Sequence, residues 1–317
     1  MVLVYIGAAA LPHWDLTGKV HRTTDFPEHL GQHSDFYVGK PVDPKDVRLP
    51  SVFGIKVFRG GRAQDKDFMD KFYKNYMEKL SRWVEFEHDN IARCYGYATD
   101  CGPMPALIMD YYPRGNITQF LKAGDTSFNQ RVELIRGIAE GINYLHGKGV
   151  VHGDLRAANI FVDNAKRAKI ADFELVYIID TQEFTSYKPA GSARWIAPEI
   201  MTDADDELYG GPKYTNASDI FAFAMIIIEV FTGDVPFAAK RQDLAVLRII
   251  SEGKRPDIPD EVSKHQWLCQ LMKQCWAQDP LARPTAEKIV QALTTNTHQP
   301  KTSWFPSFSS LWRFVGL

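Results

Sequence analysis

The spacing of hydrophobic residues divides the chain into two parts with different secondary structure. Before Pro113, short apolar runs rich in β-branched and aromatic residues predict strands, and one stretch at about 66–85 has helical spacing. The predicted strands lie at 35–39, 51–58 and 106–112. After Pro113, apolar residues recur at every third or fourth position, as in residues 129–149, which is typical of helices with one buried face. The pattern predicts a small strand-rich lobe followed by a larger helical lobe.

Composition and charge are those of an ordinary globular chain. The 317 residues are 45% hydrophobic and 24% charged, with a formal net charge of −2. The chain has no long run of Lys or Arg, so the attraction to phosphate backbones is missing and we expect no nucleic-acid partner. The four cysteines lack metal-ligand spacing, which indicates reduced thiols and a cytoplasmic protein.

Two apolar stretches are too short to cross a membrane. Residues 1–12 carry no basic segment of the kind that begins a signal peptide. Residues 225–231, MIIIEVF, are flanked by Asp219 and Asp234, which favours a buried core helix. We therefore expect no membrane span.

Polar residues interrupt a strand-forming stretch at 150–162, VVHGDLRAANIFV. Buried strands gain nothing from unpaired charge, so the interruption indicates a loop that faces a ligand; the alternative is a surface turn between two strands. Lys56 in the strand pattern FGIKVF is equally unusual unless it is paired or contacts a phosphate. Further landmarks follow in order: Asp154, Asn159, Asp172 in ADFEL, WIAPE at 195–199, Asp219 in SDIFAF and Arg283 in CWAQDPLARPT.

This succession of motifs resembles the eukaryotic protein kinase domain, and within it the tyrosine-kinase-like group, whose catalytic loops often contain a segment similar to DLRAAN. The resemblance covers about residues 16–293. It implies an α+β, bilobal protein-kinase-like fold, with a β-rich N-lobe at about 16–111 and an α-helical C-lobe at about 113–293. Residues 1–15 would then be an N-terminal extension and residues 294–317 a C-terminal tail.

The resemblance also implies roles for the polar landmarks, with ATP and Mg²⁺ as cofactors. Phosphoryl transfer depends mainly on positioning and charge neutralisation. Lys56 would contact the α- and β-phosphates, while Asp172 and Asn159 would each bind a Mg²⁺ ion. Asp154 would orient the substrate hydroxyl and accept its proton, and Arg156 would lie beside the transferring phosphoryl group.

Several positions implied to bind the nucleotide depart from the family pattern. Met109 falls at the gatekeeper position, and the backbone of Asp110 and Tyr112 would bond the adenine edge. The glycine-rich loop is HLGQHSDF at 29–36 and keeps only Gly31 of its three glycines. Phe36 stands in place of a valine, Gly54 in place of an alanine and Phe161 in place of a smaller residue, which narrows the slot. Phe36 either stacks on the base or fills the pocket in its absence.

The partner of Lys56 is a further departure. In the family a helix glutamate falls nine residues before the His of an HxN motif, here His88, and that count gives Lys79 rather than Glu78. A lysine at this position would repel Lys56, and Glu78 could replace it only if the helix shifted its register. Glu174 stands where DFG has its glycine, and it could bind metal, repel the phosphates, or point away and stiffen the loop.

The sequence predicts a protein kinase that acts on Ser/Thr hydroxyls of protein substrates. Ser192 stands where such kinases place a hydroxyl that bridges to the catalytic Asp, and Glu199 with Arg283 would form a structural ion pair. Gly153 replaces the arginine of HRD, which makes switching by phosphorylation at 181–187 less expected. The alternative is a pseudokinase that acts as a protein-binding scaffold, favoured by the departures above. The sequence names neither the substrate nor the oligomeric state.

Overall fold

The computed structural model describes residues 12–31, 34–59, 65–124, 126–175, 178, 192–202 and 214–297. Most of the predicted extension, the hydroxyls at 181–187 and the tail beyond 297 lie outside these residues. The described chain forms a strand-rich lobe and a helical lobe in the predicted order, so the α+β, bilobal fold is confirmed. Within the described ranges no helix combines the length and apolar character needed to cross a bilayer.

The strand-rich lobe is built on one antiparallel sheet with the order β1-β3-β4-β6-β5, and β2 pairs with the outer part of β3. Its strands are β1 (Val20–Arg22), β2 (His29–Leu30), β3 (Ser34–Pro41), β4 (Phe53–Phe58), β5 (Cys94–Ala98) and β6 (Ala106–Met109). In the β3–β4 register, Phe36 lies opposite Lys56 and Val38 opposite Gly54. The register therefore brings the unusual aromatic residue of β3 next to the lysine predicted to contact phosphate.

One long helix, α1 (Lys66–Trp83), packs against this sheet and agrees with the predicted stretch at 66–85. The Asp65 side chain accepts a hydrogen bond from the Phe68 amide and begins the helix. Its buried side chains recur three or four residues apart, which places them on one face. They are Phe68, Phe72, Tyr76, Leu80 and Trp83. The same spacing orients Lys79 and Arg82 toward the helical lobe, and Glu78 is exposed.

Residues just before β1 pack against β5. The Leu16 amide donates to the Tyr97 carbonyl at 2.8 Å, and the Tyr97 amide donates to the Trp14 carbonyl at 3.1 Å. Gly96 has a φ of 143°, and a Cβ at this position would lie 1.9 Å from the Trp14 carbonyl oxygen. The close approach of the two chain segments therefore requires a glycine here.

The helical lobe is organised around one helix that is buried on every side. Its helices are α2 (Ile117–Lys122), α3 (Phe128–Gly147), α4 (Pro198–Thr202), α5 (Asn216–Thr232), α6 (Asp243–Ser251), α7 (Asp260–Ser263), α8 (Gln266–Cys275) and α9 (Ala286–Thr297). Helix α5 contains the MIIIEVF run and is buried over nearly its whole length, as predicted. Thr215 caps its N-terminus, and Gly233 ends it in the left-handed conformation.

A two-stranded sheet carries the loop predicted to face a ligand. Strands β7 (Ile160–Val162) and β8 (Ala168–Ile170) are antiparallel, so the residues before β7 lie beside those after β8. The Ala171 amide donates to the Asn159 carbonyl at 3.0 Å. This pairing brings the segment at 150–159 and the ADFEL segment together at one edge of the helical lobe, facing the sheet of the other lobe.

Candidate active site

The Asp154 carboxylate lies at the centre of a small hydrogen-bond network. Ser192 Oγ donates to Asp154 Oδ1 at 2.8 Å, and Asn159 Nδ2 donates to Asp154 Oδ2 at 2.9 Å. Arg156 Nε is 3.4 Å from Asp154 Oδ2, an ion pair without a well-aligned hydrogen bond. The side chains of Asp154 and Arg156 stay 25% and 22% exposed, so this network opens toward the cleft.

Asp219 in the first turn of α5 holds the backbone of this loop. Its carboxylate accepts the amides of His152 at 2.8 Å and Gly153 at 3.0 Å, and it lies 2.9 Å from His146 Nε2. Gly153 has a φ of 81°, a conformation that a glycine adopts without strain. The buried carboxylate thus fixes the two residues immediately before Asp154.

Lys56 and Asp172 meet across the cleft between the lobes. Lys56 Nζ donates to Asp172 Oδ2 at 2.5 Å, and both side chains are mostly buried. Asp172 has a φ of 63°, which for a residue with a side chain needs support from its surroundings. Its second oxygen, Oδ1, is buried and has no hydrogen-bond partner among the described residues. A buried carboxylate oxygen without a donor is an atom that a cation would satisfy.

The side chains beside Asp172 fit Mg²⁺ held together with phosphate oxygens. Among the described residues no group of three or more His, Cys, Asp or Glu side chains could enclose a metal ion. Mg²⁺ in nucleotide sites is bound through one or two side chains plus phosphates and waters. Asp172 Oδ1 and the amide oxygen of Asn159, whose Nδ2 already donates to Asp154, have the chemistry for this type of site.

The two departures around Lys56 meet each other in the structure. Lys79 Nζ donates to Glu174 Oε1 at 2.9 Å, so Lys79 faces the site as the nine-residue count predicts and has a carboxylate partner. Glu174 Oε2 accepts a hydrogen bond from Trp83 Nε1 at 3.0 Å. Of the three alternatives left open for Glu174, the structure therefore supports the third, a side chain that points away, here toward Lys79 and Trp83 of helix α1. Glu78 is exposed and does not replace Lys79.

Phe36 and Gly54 form a second pair of complementary departures. A Cβ at Gly54 would lie 2.4 Å from Phe36 Cζ and 2.7 Å from Cε2, so the ring occupies the space of the usual alanine methyl group. The ring is also nearly parallel to Tyr111, with centroids 6.4 Å apart at an angle of 22°. Tyr111 in turn donates through its hydroxyl to Glu28 Oε1 at 2.9 Å, which joins the segment before β2 to the connection between the lobes.

The connection between the lobes begins at Met109, which is buried at the end of β6 opposite Gly54. The Asp110 amide donates to the Arg93 carbonyl at 3.0 Å, whereas the Asp110 carbonyl oxygen lies beside Gly54, 3.2 Å from the position of a Cβ at that residue. Burial and the Asp110 carboxylate raise the pKa of Tyr112, so its hydroxyl stays protonated and donates to Asp110 Oδ2. The Tyr112 ring stacks on Phe161 with centroids 5.6 Å apart.

Gly31 lies in a tight turn. Its amide donates to the Ser34 carbonyl at 2.8 Å, and a Cβ would lie 2.8 Å from that same oxygen. Arg59 also donates to the Gly31 carbonyl. In this conformation the turn itself uses the Gly31 amide, and Gln32 and His33 lie outside the described residues.

A buried glutamate that contacts the segment at 150–159 was not predicted from the sequence. Glu229 of α5 accepts hydrogen bonds from the Ala157 amide at 3.0 Å and from Trp195 Nε1 at 2.8 Å. Burial raises its pKa to about 7, although both donors and Arg156 act in the opposite direction. The available signal was a charged residue inside the apolar run MIIIEVF, because a buried carboxyl group requires partners.

The WIAPE segment is tied to the helical lobe by a buried ion pair. Arg283 Nη1 and Nη2 donate to the two carboxylate oxygens of Glu199 at 2.6 and 2.8 Å. The Arg283 side chain is fully buried, and it also donates to the carbonyls of Ala277 and Ala217. This two-point geometry agrees with the structural role that the resemblance implies for the pair.

Comparison with known proteins agrees with this arrangement of fold and site. The family model described as protein tyrosine and serine/threonine kinase matches residues 55–293. The match covers most of the chain, including every polar landmark from Lys56 to Arg283. The chain therefore belongs to the protein kinase family.

The relatives include plant protein kinases and an animal receptor. Serine/threonine-protein kinase STY17 of Arabidopsis thaliana is 29% identical over 69% of this chain and 37% of its own length. A light-sensor protein kinase of Ceratodon purpureus is 38% identical over 88% of this chain and 22% of its own length. Ephrin type-A receptor 3 of Danio rerio is 30% identical over 84% of this chain and 26% of its own length. The chain thus spans well under half the length of these relatives.

Proposed function

We propose that this chain transfers the γ-phosphoryl group of ATP to Ser or Thr hydroxyls of a protein substrate, in a kinase domain at about 16–293. The observation that carries the proposal is the 2.8 Å hydrogen bond from Ser192 Oγ to Asp154 Oδ1. A serine hydroxyl is thus bonded to the carboxylate that, in this proposal, orients the acceptor hydroxyl. STY17, whose name identifies it as a serine/threonine kinase, supports the same substrate class.

The proposed roles follow from the distances in the site. Asp154 orients the acceptor hydroxyl and takes its proton, and Arg156 beside it offers positive charge to the transferring group. Lys56 uses one of its three N–H groups on Asp172, which leaves two for phosphate oxygens. Asp172 and Asn159 would hold Mg²⁺, which when bound neutralises phosphate charge.

The nucleotide base would lie between the lobes next to Met109. We propose that the Asp110 carbonyl oxygen and the Tyr112 amide bond its edge, because that carbonyl oxygen lies beside Gly54, as the Phe36 ring does. Phe36 would cover the base from the sheet side and Phe161, stacked on Tyr112, from the helical side. Gly31 would shape the turn that closes over the phosphates.

The experiment that tests the proposal measures nucleotide binding and the chemical identity of the product. Saturating Mg·ATP should raise the melting temperature by a few degrees, since about 1–3 kcal/mol of binding energy is added to the folded state at 10–100 times Kd. Lys56→Met and Asp172→Asn should lose this shift, whereas Glu78→Gln on the exposed side of α1 should keep it. Phosphorylated products should contain phosphoserine or phosphothreonine.

Two outcomes would count against the proposal. Absence of a shift at millimolar Mg·ATP would show that the chain does not bind the nucleotide. The result would favour the alternative function, a pseudokinase that acts as a protein-binding scaffold. Products containing phosphotyrosine alone would retain the kinase activity but overturn the substrate class.

A further inference from the structure

Two residues that each depart from the kinase pattern form one ion pair, Lys79 on helix α1 and Glu174 in the ADFEL segment. We propose that the Lys79–Glu174 pair fixes helix α1 against the loop that carries Asp172, and thereby positions the Asp172 carboxylate for Mg²⁺. It takes the place of a glutamate on α1 bonded to Lys56. The inference rests on the proposed function and deepens it, since both residues act through Asp172 and are positioning residues.

Helix α1 satisfies both oxygens of the Glu174 carboxylate. Oε1 is 2.9 Å from Lys79 Nζ and 3.7 Å from Arg82 Nη1, and Oε2 accepts from Trp83 Nε1 at 3.0 Å. Arg82 and Trp83 follow Lys79 by three and four residues, so both side chains are neighbours of Lys79 on the helix surface. Only 6% of the Glu174 side chain is exposed, and a carboxylate at this depth is stable only with such partners.

The backbone of the segment explains why Glu174 must be held. Glu174 has a φ of 58° and Asp172 a φ of 63°, both in the left-handed region that favours glycine. A residue with a side chain persists there when its surroundings over-determine the conformation. The Glu174 amide donates to the His152 carbonyl at 3.0 Å. The segment at 150–159 therefore holds the backbone of Glu174, and helix α1 holds its side chain. Phe173 between them packs edge-on against Trp83, with ring centroids 5.5 Å apart.

The charges around Lys56 are unbalanced when one of the two departures is present without the other. Lys56 bonds to Asp172 and Lys79 bonds to Glu174, so two ammonium groups face two carboxylates. Without Glu174, the Lys79 ammonium would repel Lys56 and compete with it for Asp172. Without Lys79, Glu174 would lose its closest counter-charge and would compete with Asp172 for the Lys56 ammonium group. Each substitution therefore accounts for the other.

The first test is a double-mutant cycle on the free energy of unfolding without nucleotide. Lys79→Met, Glu174→Gln and the double variant are compared with the parent chain, and Lys74→Met on the exposed side of α1 is the control. We expect a coupling of at least about fivefold in the unfolding equilibrium constant, because the two residues are in direct contact. Additive effects, with a coupling below about twofold, would overturn the inference.

The second test separates positioning of Asp172 from simple stabilisation. Calorimetry measures ADP affinity with and without Mg²⁺ at a temperature where every variant is folded. Lys79→Met and Glu174→Gln should each lower the Mg²⁺-dependent affinity about tenfold, which is a typical coupling between two sites. The affinity without Mg²⁺ should stay within about twofold of the parent value. Lys79→Arg should retain most of the affinity. A dependence on Mg²⁺ equal to that of the parent chain would overturn the positioning role.

The third test rebuilds the arrangement that the family pattern implies. Lys79→Glu alone sets a carboxylate against Glu174 and should abolish Mg²⁺-dependent ADP binding. Adding Glu174→Gly removes the repulsion and gives Lys56 a helix carboxylate, so the double variant should bind Mg·ADP at least about tenfold more tightly than Lys79→Glu. Equal affinities would contradict the exchange of roles.

Failure of the proposed function would be distinguishable from failure of this inference. If the parent chain binds no Mg·ADP, the proposed function is wrong, and the pair is decided by the unfolding cycle together with amide hydrogen exchange. Exchange at Phe173 and Glu174 should then be at least about tenfold faster in Lys79→Met than in Lys74→Met, because the loop loses its contact with the helix. Equal exchange rates would overturn the inference.

Discussion

The two sides of the cleft differ in how closely they follow the kinase pattern. On the helical side, Asp154 and Asn159 are bonded to each other, and Asp219 fixes the loop before them. On the strand side, Phe36 lies over Gly54, and Lys79 of helix α1 replaces a glutamate and reaches across the cleft to Glu174. The helical side supplies the groups that would contact the acceptor hydroxyl. The strand side would supply the walls and supports of the proposed nucleotide site.

The departures on the strand side occur as complementary pairs. The Phe36 ring occupies the volume that a side chain at Gly54 would need, so a larger residue on β3 is matched by a smaller residue on β4. The unusual positive charge of Lys79 on helix α1 is matched by the unusual negative charge of Glu174 in the ADFEL segment. A buried group without its partner is costly, so each member of a pair is expected to be destabilising alone and tolerated together. Departures that compensate each other are expected in a site that keeps its structure with different residues, whereas a site that loses its structure has no reason to contain them.

The largest effect is expected on the helical side. Asp154→Asn should lower kcat by about 10³-fold, because the acceptor hydroxyl would lose the group that we propose takes its proton. The fold should be retained, since the introduced amide can accept from Asn159 through its oxygen and donate to Ser192 through its nitrogen. The measurement is single-turnover phosphorylation at saturating Mg·ATP, with the melting temperature recorded in parallel.

Glu78→Gln provides the matched control, because it removes a carboxylate from the exposed side of α1 and should leave kcat unchanged. A loss below about tenfold in Asp154→Asn would show that proton transfer to this carboxylate does not limit the reaction. The distinction between the two sides of the cleft would then lose its chemical basis.

A smaller effect is expected from separating Phe36 and Gly54. In Gly54→Ala the new methyl group would lie 2.4 Å from Phe36 Cζ, so the ring must move. We expect a loss of about 1–3 kcal/mol in the free energy of unfolding, as is usual for overpacking. Adding Phe36→Val should recover most of that loss, which denaturant unfolding would measure.

Gly124→Ala serves as the control, because a Cβ there has no neighbour within 4 Å. If Phe36→Val failed to rescue Gly54→Ala, the two positions would be independent substitutions. The pairing of departures on the strand side would then rest on Lys79 and Glu174 alone.

The sequence predicted the individual site residues better than their pairing. The order of motifs predicted the two lobes, and the count from His88 correctly oriented Lys79 toward the site. Neither Lys79 nor Glu174 carries a local signal for a contact between residues 95 positions apart, so each was interpreted as an isolated departure. Only the folded backbone brings the end of α1 beside the ADFEL segment.

Strand β5 was missed for a local reason. Its alternation is broken by a register shift between Cys94 and Gly96, and Gly96 adopts a φ of 143°. The N-terminal residues that require this conformation lie about 80 positions earlier in the chain. Glu229 was also missed, since a single glutamate in an apolar run does not indicate which groups it would meet.

The last effect is expected only at the higher pH values and concerns Glu229, which tests whether the helical side contains a buried charge that destabilises the fold. The pKa of Glu229 is raised from 4.5 to about 7 by burial, so the folded chain binds one more proton than the unfolded chain between these values. The free energy of unfolding therefore loses a contribution as pH rises from about 4.5 to 7. Glu229→Gln keeps an uncharged acceptor for Ala157 and Trp195 and should remove this loss.

We expect the parent chain and Glu229→Gln to have similar stability near pH 5, and the variant to be more stable by about 1–3 kcal/mol at pH 8. Urea unfolding between these pH values measures the difference, in which the other titrating groups cancel. Asp234→Asn, at an exposed position just after the same helix, should show no such divergence. Parallel stability curves for Glu229→Gln and the parent chain would mean that the donors at Ala157 and Trp195 fully offset the burial of the charge. The helical side would then contain no destabilising charge at Glu229, and the hydrogen bonds that hold this glutamate would be sufficient for its ionised form.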